Sequence, residues 1–375
     1  MRSSSGEHFL ALDHVRALAA FMVFSWHFCH QSEGLPVSFA SAPAIFPLAL
    51  LDEGHTGVAL FMTLSGYLFA KLLHRNDFTF SLFLWNRFVR LAPLMILILI
   101  IVGVKEIYRG AATIELIRRY IISIFSIGSP SGPLPNGLWS IMVEWHFYLI
   151  LPLLLAAFQR FGLATAVVII VVSTSMRSIF YIEFGEVQSL AYWTLIGRID
   201  QFVLGIAAFR YSGMIKDKHM IAAATTIGFT AYYWLFDRSG GFYMMPRYPS
   251  SSLVWIIMPA VEGLAYGLLI SYYDRTFVPR NTGISWVVGL IGAYSYSIYV
   301  LHFFFISPAA EFIYYHIMDI TNIYVAEAWS LLCFLLMLPV GHLSFRFIES
   351  PFLRFRKRYM QTSAEITVCS PQKIV

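Results

Sequence analysis

The sequence predicts an all-α fold, an integral membrane bundle of about ten transmembrane helices with N- and C-termini cytoplasmic. Three observations carry that expectation. The 375 residues are 58% hydrophobic, 17% aromatic and only 13% charged, with a mean hydropathy of +0.68, whereas a soluble domain carries about 25% charge. Apolar runs of about 20 residues, the length that crosses a ~30 Å hydrocarbon core as a helix, recur along the chain. Those runs are continuously apolar, as from Leu94 to Val104, and do not alternate as the strands of a closed barrel would.

The runs lie near 10–30, 55–74, 85–104, 138–158, 162–181, 190–209, 219–236, 252–272, 284–306 and 326–347. Asp13, His14 and Arg16 interrupt the first where a cleaved signal would be clean, so it is expected to stay as a span. The second runs without a charge to Lys71 at its end. The third has Arg87 and Arg90 near its inner end. Between the third and fourth, 105–137 is the longest stretch outside the spans, and Gly128, Pro130, Gly132, Pro133, Pro135 and Gly137 mark it as an outer loop. The fourth run carries Glu144 about six residues from its outer end. Arg177 lies in the fifth, and Arg198 and Asp200 lie mid-span in the sixth, where a mutual or cross-helix ion pair is the expected explanation. Glu262 in the eighth has no evident partner in the sequence. His302 falls near the outer end of the ninth, and Arg346 near the inner end of the tenth, with Glu349 available to pair with it.

Orientation follows from the cations. With the N-terminus cytoplasmic, 16 of the 26 Lys and Arg lie inside and six outside, namely Lys105, Arg109, Arg118, Arg119, Arg238 and Arg247. Arg16, Arg177, Arg198 and Arg346 fall within spans. The bias agrees with the positive-inside rule. The net charge of +5 therefore reflects topology and anionic membrane lipids. No basic stripe interleaved with aromatics points to nucleic acid, so none is expected as a partner. Cys29, Cys333 and Cys369 form neither metal-ligand spacing nor a disulfide framework, and no metal is expected.

A titratable side chain inside a span costs about 2.5 to 3.5 kcal/mol on insertion scales, which makes it a functional candidate. Arg16 and His27 are 11 residues apart, which at ~100° per residue returns to within ~20° of one helix face, about 16 Å further along. They are expected to look into one cavity. The alternative is that Arg16 snorkels to the inner headgroups and His27 only bridges helices. Glu144 and His302 fall at a depth near that of His27, giving an outer polar cluster; Arg16, Arg87, Arg90 and Arg346 form an inner cationic one. This outline fits a ligand with an anionic head at the inner face and a reactive end about 16 Å deeper. Coenzyme A, a multiply phosphorylated nucleotide on a thin arm ending in a thioester, has that shape, and arginine forks suit its phosphates. His27 would then act as general base on an acceptor hydroxyl, or carry the acyl group covalently; position along the helix does not separate the two.

On these residues the chain resembles the acyltransferase-3 family of multi-pass membrane acyltransferases. LDHVRALAAFMVFSWHF matches its arginine, ten residues, then histidine. GVALFMTLSGYLFA, NRFVRLAP, LWSIMVEWHFYLILPLLL, SYSIYVLH and FRFIESPF resemble five further motifs in the family's order. The resemblance implies a membrane O-acyltransferase that moves an acyl group, commonly acetyl, from cytoplasmic acyl-CoA (acetyl-CoA) to a hydroxyl of an extracytoplasmic or lipid-linked carbohydrate. By the same resemblance His27 and Glu144 are catalytic, and Arg16, Arg87 and Arg90 bind the acyl donor. Ser65, Trp139, Tyr148, His302, Arg346 and Glu349 are further motif positions. The departure is Trp145–His146 after the motif glutamate, where the family often has acidic or amide residues.

The expected organisation is a membrane acyltransferase domain over 1–353 and a disordered basic cytoplasmic tail over 354–375, without the fused esterase-like domain of many members. The expected location is the plasma membrane (the bacterial inner membrane). A secondary transporter or flippase for a glycan or small solute is the alternative, because embedded ion pairs also mark solute pathways. Against it, no pair of Gly/Pro-interrupted helices recurs in the two halves of the sequence.

Overall fold

The computed structural model describes residues 9–31, 35–74, 78–125, 134–243 and 248–359. Among these it is helical, with no β-strand. The order is α1 (Leu10–Cys29), a short α2 (Ala49–Asp52), α3 (Gly57–Leu73), α4 (Phe80–Tyr108), α5 (Thr113–Phe125), α6 (Leu138–Phe161), α7 (Leu163–Phe184) and α8 (Gln188–Trp193). Then follow α9 (Leu195–Arg210), α10 (His219–Arg238), α11 (Val254–Thr276), α12 (Gly283–Ala293), α13 (Ser295–Leu301), α14 (Ile306–His316) and α15 (Ile323–Ser344). A π-helical turn, Phe345–Glu349, joins α15 to α16 (Ser350–Leu353).

Each of the ten apolar runs is helical, but they do not all have the length and apolarity of a span. Among the described residues six helices do: Gly54–Leu73, Phe80–Tyr108, Leu138–Phe161, Leu163–Phe184, Val254–Thr276 and Ile323–Leu353. The ninth run is a pair, Gly283–Ala293 with Ser295–Phe304, bent by 57°. The remaining three fall short because of their own residues. In α1, Asp13, His14, Arg16 and His27 dilute the apolar character. The sixth run divides at Thr194, whose extended backbone ends α8 and whose hydroxyl accepts the Gly197 N–H at 3.0 Å, capping α9. His219, Thr225, Thr226, Thr230, Asp237 and Arg238 spread polar groups along α10.

α3 is the central helix, with 83% of its apolar window buried, against 22% for α7, which presents Val167, Val168, Val171, Val172 and Ile179 outward. α3 meets α9 through glycines. A Cβ on Gly66 would lie 2.1 Å from the Phe202 carbonyl oxygen, and one on Gly205 2.1 Å from that of Thr63. Any side chain there would force the backbones apart, so the small residues set this crossing.

Three embedded charges assigned only loosely from sequence find definite partners. Asp200 pairs across helices with Arg177 at 2.6 Å, both fully buried, and also accepts from Ser173. Arg198 instead donates to the Tyr192 carbonyl at 2.5 Å and to Gln201 at 3.1 Å. Glu262 accepts from Thr56 at 2.7 Å, Tyr233 at 2.6 Å and Gln201 at 2.8 Å. Removing one member of a buried pair strands the other, at about 3–5 kcal/mol, whereas replacing both with apolar residues is often neutral. Arg177→Leu should therefore unfold the detergent-solubilised protein well below the wild-type temperature, and Arg177→Leu with Asp200→Leu should recover most of the loss. Equal loss in single and double variants would refute the pairing as the cause.

The expected outer loop contains a helix. In α5 Ile114, Leu116, Ile117, Ile121, Ile122 and Phe125 recur at helical spacing against Glu115, Arg118 and Arg119. Only Leu116 is buried among the described neighbours, the pattern of a helix lying along a membrane interface. Residues 126–133, which hold most of the loop's Gly and Pro signals, lie outside the described residues.

The segment expected to begin a disordered tail is held in place as far as Tyr359. Trp85 donates to the Phe355 carbonyl at 2.9 Å, and the Thr79 N–H to that of Tyr359 at 2.9 Å. Tyr359 is buried against Phe83. Residues 360–375 lie outside the described residues.

Candidate active site

Five helices converge on one cavity, with about 830 Å³ of empty space including its mouth. α1 contributes Arg16; α3 contributes Phe61, Ser65 and Phe69; α4 contributes Arg87 and Arg90. From α6 come Ser140, Glu144 and Tyr148, and from α13 Ser295, Tyr296 and Tyr299. The i, i+4 spacing of 140, 144 and 148 places those three on one stripe of α6, and the i, i+3 spacing of the arginines does the same on α4. Six residues expected from sequence, Arg16, Ser65, Arg87, Arg90, Glu144 and Tyr148, thus line one wall or another of this cavity.

Hydrogen bonds fix its polar groups. Ser65 donates to Glu144, and Asp13 accepts from Arg16 one turn away on α1. The Ser140 and Tyr299 hydroxyls are 2.8 Å apart, and Tyr296 donates to the Leu91 carbonyl at 2.6 Å, tying α13 to α6 and α4. The Arg87 guanidinium is buried over the rings of Phe69 and Phe83, at 5.2 and 5.6 Å from their centroids, and its Nε has no partner among the described residues.

The expectation that Arg16 and His27 look into one cavity is not met. Arg16 lines it and His27 does not. Phe61 and Tyr299, with ring centroids 5.9 Å apart, stand at its boundary. Beyond Tyr299 lies His302 at 5.9 Å, and beyond His302 lies His27 at 5.2 Å. The expected outer cluster also divides. Glu144 joins the arginines, while His27 and His302 form their own pair, because depth counted in residues ignores where each helix starts and how it tilts.

The histidine pair has a definite chemistry. His302 is buried, and its Nδ1 lies against the Tyr299 carbonyl oxygen, which can only accept. The proton is therefore on Nδ1, and the buried Nε2, which has no partner among the described residues, carries a lone pair. His27 is packed between Trp26 and Phe303, each at 4.5 Å.

The remaining motif positions lie around the site. Trp139 meets Trp193 edge to face at 4.6 Å and lies against the Arg198 guanidinium at 5.4 Å. Glu349 is buried and accepts from Ser297. The expected pairing of Arg346 with Glu349 does not form, because Arg346 points outward over Phe347. The π turn brings Glu349 to the inner side, where Arg90 and Arg356 are its neighbouring cations. At the departure from the family motif, His146 bonds the Ile124 carbonyl at 3.0 Å, fastening α6 to α5.

Several titratable residues in this region were missed from the sequence. Glu327 accepts from Ser25 at 2.5 Å; His30 bonds Asp52 at 2.8 Å; His55 stands 3.0 Å from Glu53. Burial, with Asp52 alongside, pushes the Glu53 carboxyl up to about 8. Glu327 and His55 lie inside apolar runs, so the rule that singled out Glu144 would have flagged them. Arg356 was counted with the tail, and no local signal separates it from its neighbours.

A family model described as an acyltransferase domain matches residues 9–342. A peptidoglycan O-acetyltransferase, OatA, of Listeria monocytogenes is 26% identical over 91% of this chain and 55% of its own length. An O-acetyltransferase OatA of Staphylococcus aureus is 25% identical over 80% of this chain and 53% of its own. The chain thus spans about half the length of these curated relatives. No solved structure matches it significantly.

Proposed function

The chain belongs to the acyltransferase domain family, and from that premise we propose that it is a membrane O-acetyltransferase that moves an acetyl group from cytoplasmic acetyl-CoA to a hydroxyl of a cell-wall or lipid-linked carbohydrate. The observation that carries the reading is the cavity, which gathers Arg16, Arg87 and Arg90 with Glu144 and stops one tyrosine short of a histidine pair. A relative named as a peptidoglycan O-acetyltransferase supports a carbohydrate acceptor. The topology that suits it has ten crossings, the α12–α13 pair counted as one and α1, α8–α9 and α10 included, with both termini cytoplasmic in a bacterial inner membrane.

In this reading Arg87 and Arg90 hold the donor's phosphates, and Arg16 lines its path. The pantetheine arm runs past Phe61 and Tyr299 toward His27. His27 takes the proton of the acceptor hydroxyl as its oxygen attacks the thioester carbonyl. The new C–O bond forms, the C–S bond breaks, and the coenzyme A thiolate leaves and recovers the proton. Glu144, held by Ser65 beside Arg87, serves the transfer step rather than donor binding. His302, its ring centroid 5.2 Å from that of His27, packs beside that imidazole and places it.

The test is expression of the chain in cells that lack wall O-acetylation, followed by mild-base release of acetate from purified wall glycans. Acetate above the vector control is the expected result, together with incorporation of label from acetyl-CoA into isolated membranes. Membranes that take up no label, with the chain inserted, overturn the reading.

A further inference from the structure

We propose that the segment after α16 supplies a third guanidinium, Arg356, to the donor site, so that Arg87, Arg90 and Arg356 together grip a phosphate-bearing ligand. The inference rests on the donor reading above and extends it to a part of the chain outside the helical bundle.

The first support is placement. Asn86, next to Arg87, exchanges two hydrogen bonds with the backbone of Lys357, next to Arg356. The amide Nδ2 donates to the Lys357 carbonyl at 2.6 Å, and the Lys357 N–H donates to Oδ1 at 2.8 Å. The bond from Trp85 to the Phe355 carbonyl lies on the other side of Arg356, and Tyr359 is anchored beyond. Arg356 is thus fixed by bonds on both sides at the turn of α4 that carries Arg87. An unanchored tail would need no such paired bonds.

The second support is charge. The Nε atoms of Arg87 and Arg356 are both buried without a partner among the described residues. The carboxylates facing the three arginines are Glu144, beside Arg87, and Glu349, beside Arg90 and Arg356. Each already accepts from a serine, Ser65 and Ser297 respectively. Burial, then Arg90 and Arg87 as like charges, brings Arg356 down to about 9, so it stays protonated at neutral pH. Converging, partly desolvated cations with unsatisfied N–H groups are costly alone and are relieved by an anion with several oxygens. Arginine forks match phosphate in geometry as well as charge. An anionic lipid headgroup offers the same chemistry, and the experiment separates the two sources.

The full chain and its Arg356→Gln variant, purified in detergent, are titrated with acetyl-CoA and with S-acetylpantetheine, which lacks phosphates. Arg356→Gln is expected to weaken acetyl-CoA binding roughly tenfold or more, the worth of one hydrogen bond to a charged group, and to leave S-acetylpantetheine unchanged. Its ligand-free melting temperature should stay the same or rise, because a like charge has been removed; a structural role would lower it. Should Arg356→Gln fail to fold, Arg356→Lys keeps the charge and the backbone bonds and is expected to show a smaller loss confined to acetyl-CoA. Unchanged acetyl-CoA affinity, or equal loss for both probes, overturns the inference while wild-type binding keeps the donor reading. Wild-type protein that binds no acetyl-CoA overturns both. Loss of bound phosphatidylglycerol in native mass spectrometry, with acetyl-CoA affinity intact, assigns the arginines to lipid and also overturns it.

Discussion

A His27→Ala variant that still inserts is expected to lose acetyl transfer by about 10²- to 10⁴-fold, the worth of a positioned general base, while keeping wild-type affinity for acetyl-CoA. The two halves of this prediction come from different parts of the structure. The loss follows from the histidine pair: His302 Nδ1 is committed to the Tyr299 carbonyl, so within the pair it is His27, partly exposed between Trp26 and Phe303, that can meet an acceptor. The retained affinity follows from the cavity, whose lining includes the arginines and excludes His27. Label transfer from acetyl-CoA in membranes measures the first, and titration of purified protein the second. Unchanged transfer removes His27 from the mechanism. Collapsed donor affinity would instead place the histidine in the donor path. Export of lipid-linked glycan, expected to be unchanged, separates the enzyme from a transporter or flippase. Acetylated His27, trapped by rapid quench and found by mass spectrometry, would favour covalent transfer over general-base catalysis.

Much of the fold was legible because hydrophobic length is a local property. All ten apolar runs are helices, and the i, i+4 stripe of Ser140, Glu144 and Tyr148 follows from spacing within one of them. What was not legible depends on contacts between distant residues. Asn86 and Lys357 are 271 positions apart, and nothing in either segment announces their pairing. Asp200 chose Arg177 over the nearby Arg198 because residues two apart on a helix point in different directions, whereas α7 lies directly alongside α9. The ninth run reads as continuous, yet it bends at Tyr294, and a Cβ on Gly292 would meet the Asp13 carbonyl of α1 at 1.8 Å. That close approach is set by α1, which the sequence of α12 does not contain. The same limit explains why Arg16 and His27, aligned on one helix face, open onto different spaces. Alignment fixes a face of α1, and Phe61 and Tyr299, from two other helices, divide what that face sees.

The cavity makes a second prediction of large effect, in which its cations and its carboxylate separate. Arg87→Ala together with Arg90→Ala is expected to weaken acetyl-CoA binding by about 100-fold or more, since each charge-assisted phosphate contact is worth about 1.5–3 kcal/mol. Arg87→Ala also gives up the Phe69 and Phe83 ring contacts and buried packing, so the melting temperature should fall as well, and affinity is compared on protein shown to be folded. Glu144→Gln is expected to behave in the opposite way. Glutamine keeps an oxygen that can accept from Ser65 and nearly the same volume, but it removes the charge, so turnover should fall while donor affinity holds. Isothermal titration and initial rates on the same preparations resolve the contrast. If the double arginine variant binds acetyl-CoA normally, the donor's phosphates lie elsewhere and the cavity serves another anion. If Glu144→Gln loses donor affinity as well, the carboxylate belongs to the donor path. The contrast has a physical basis in the wall itself: the arginines can reach a distant anionic head through long side chains, whereas Glu144, shorter and held by Ser65 from α3, can act only on what comes to it.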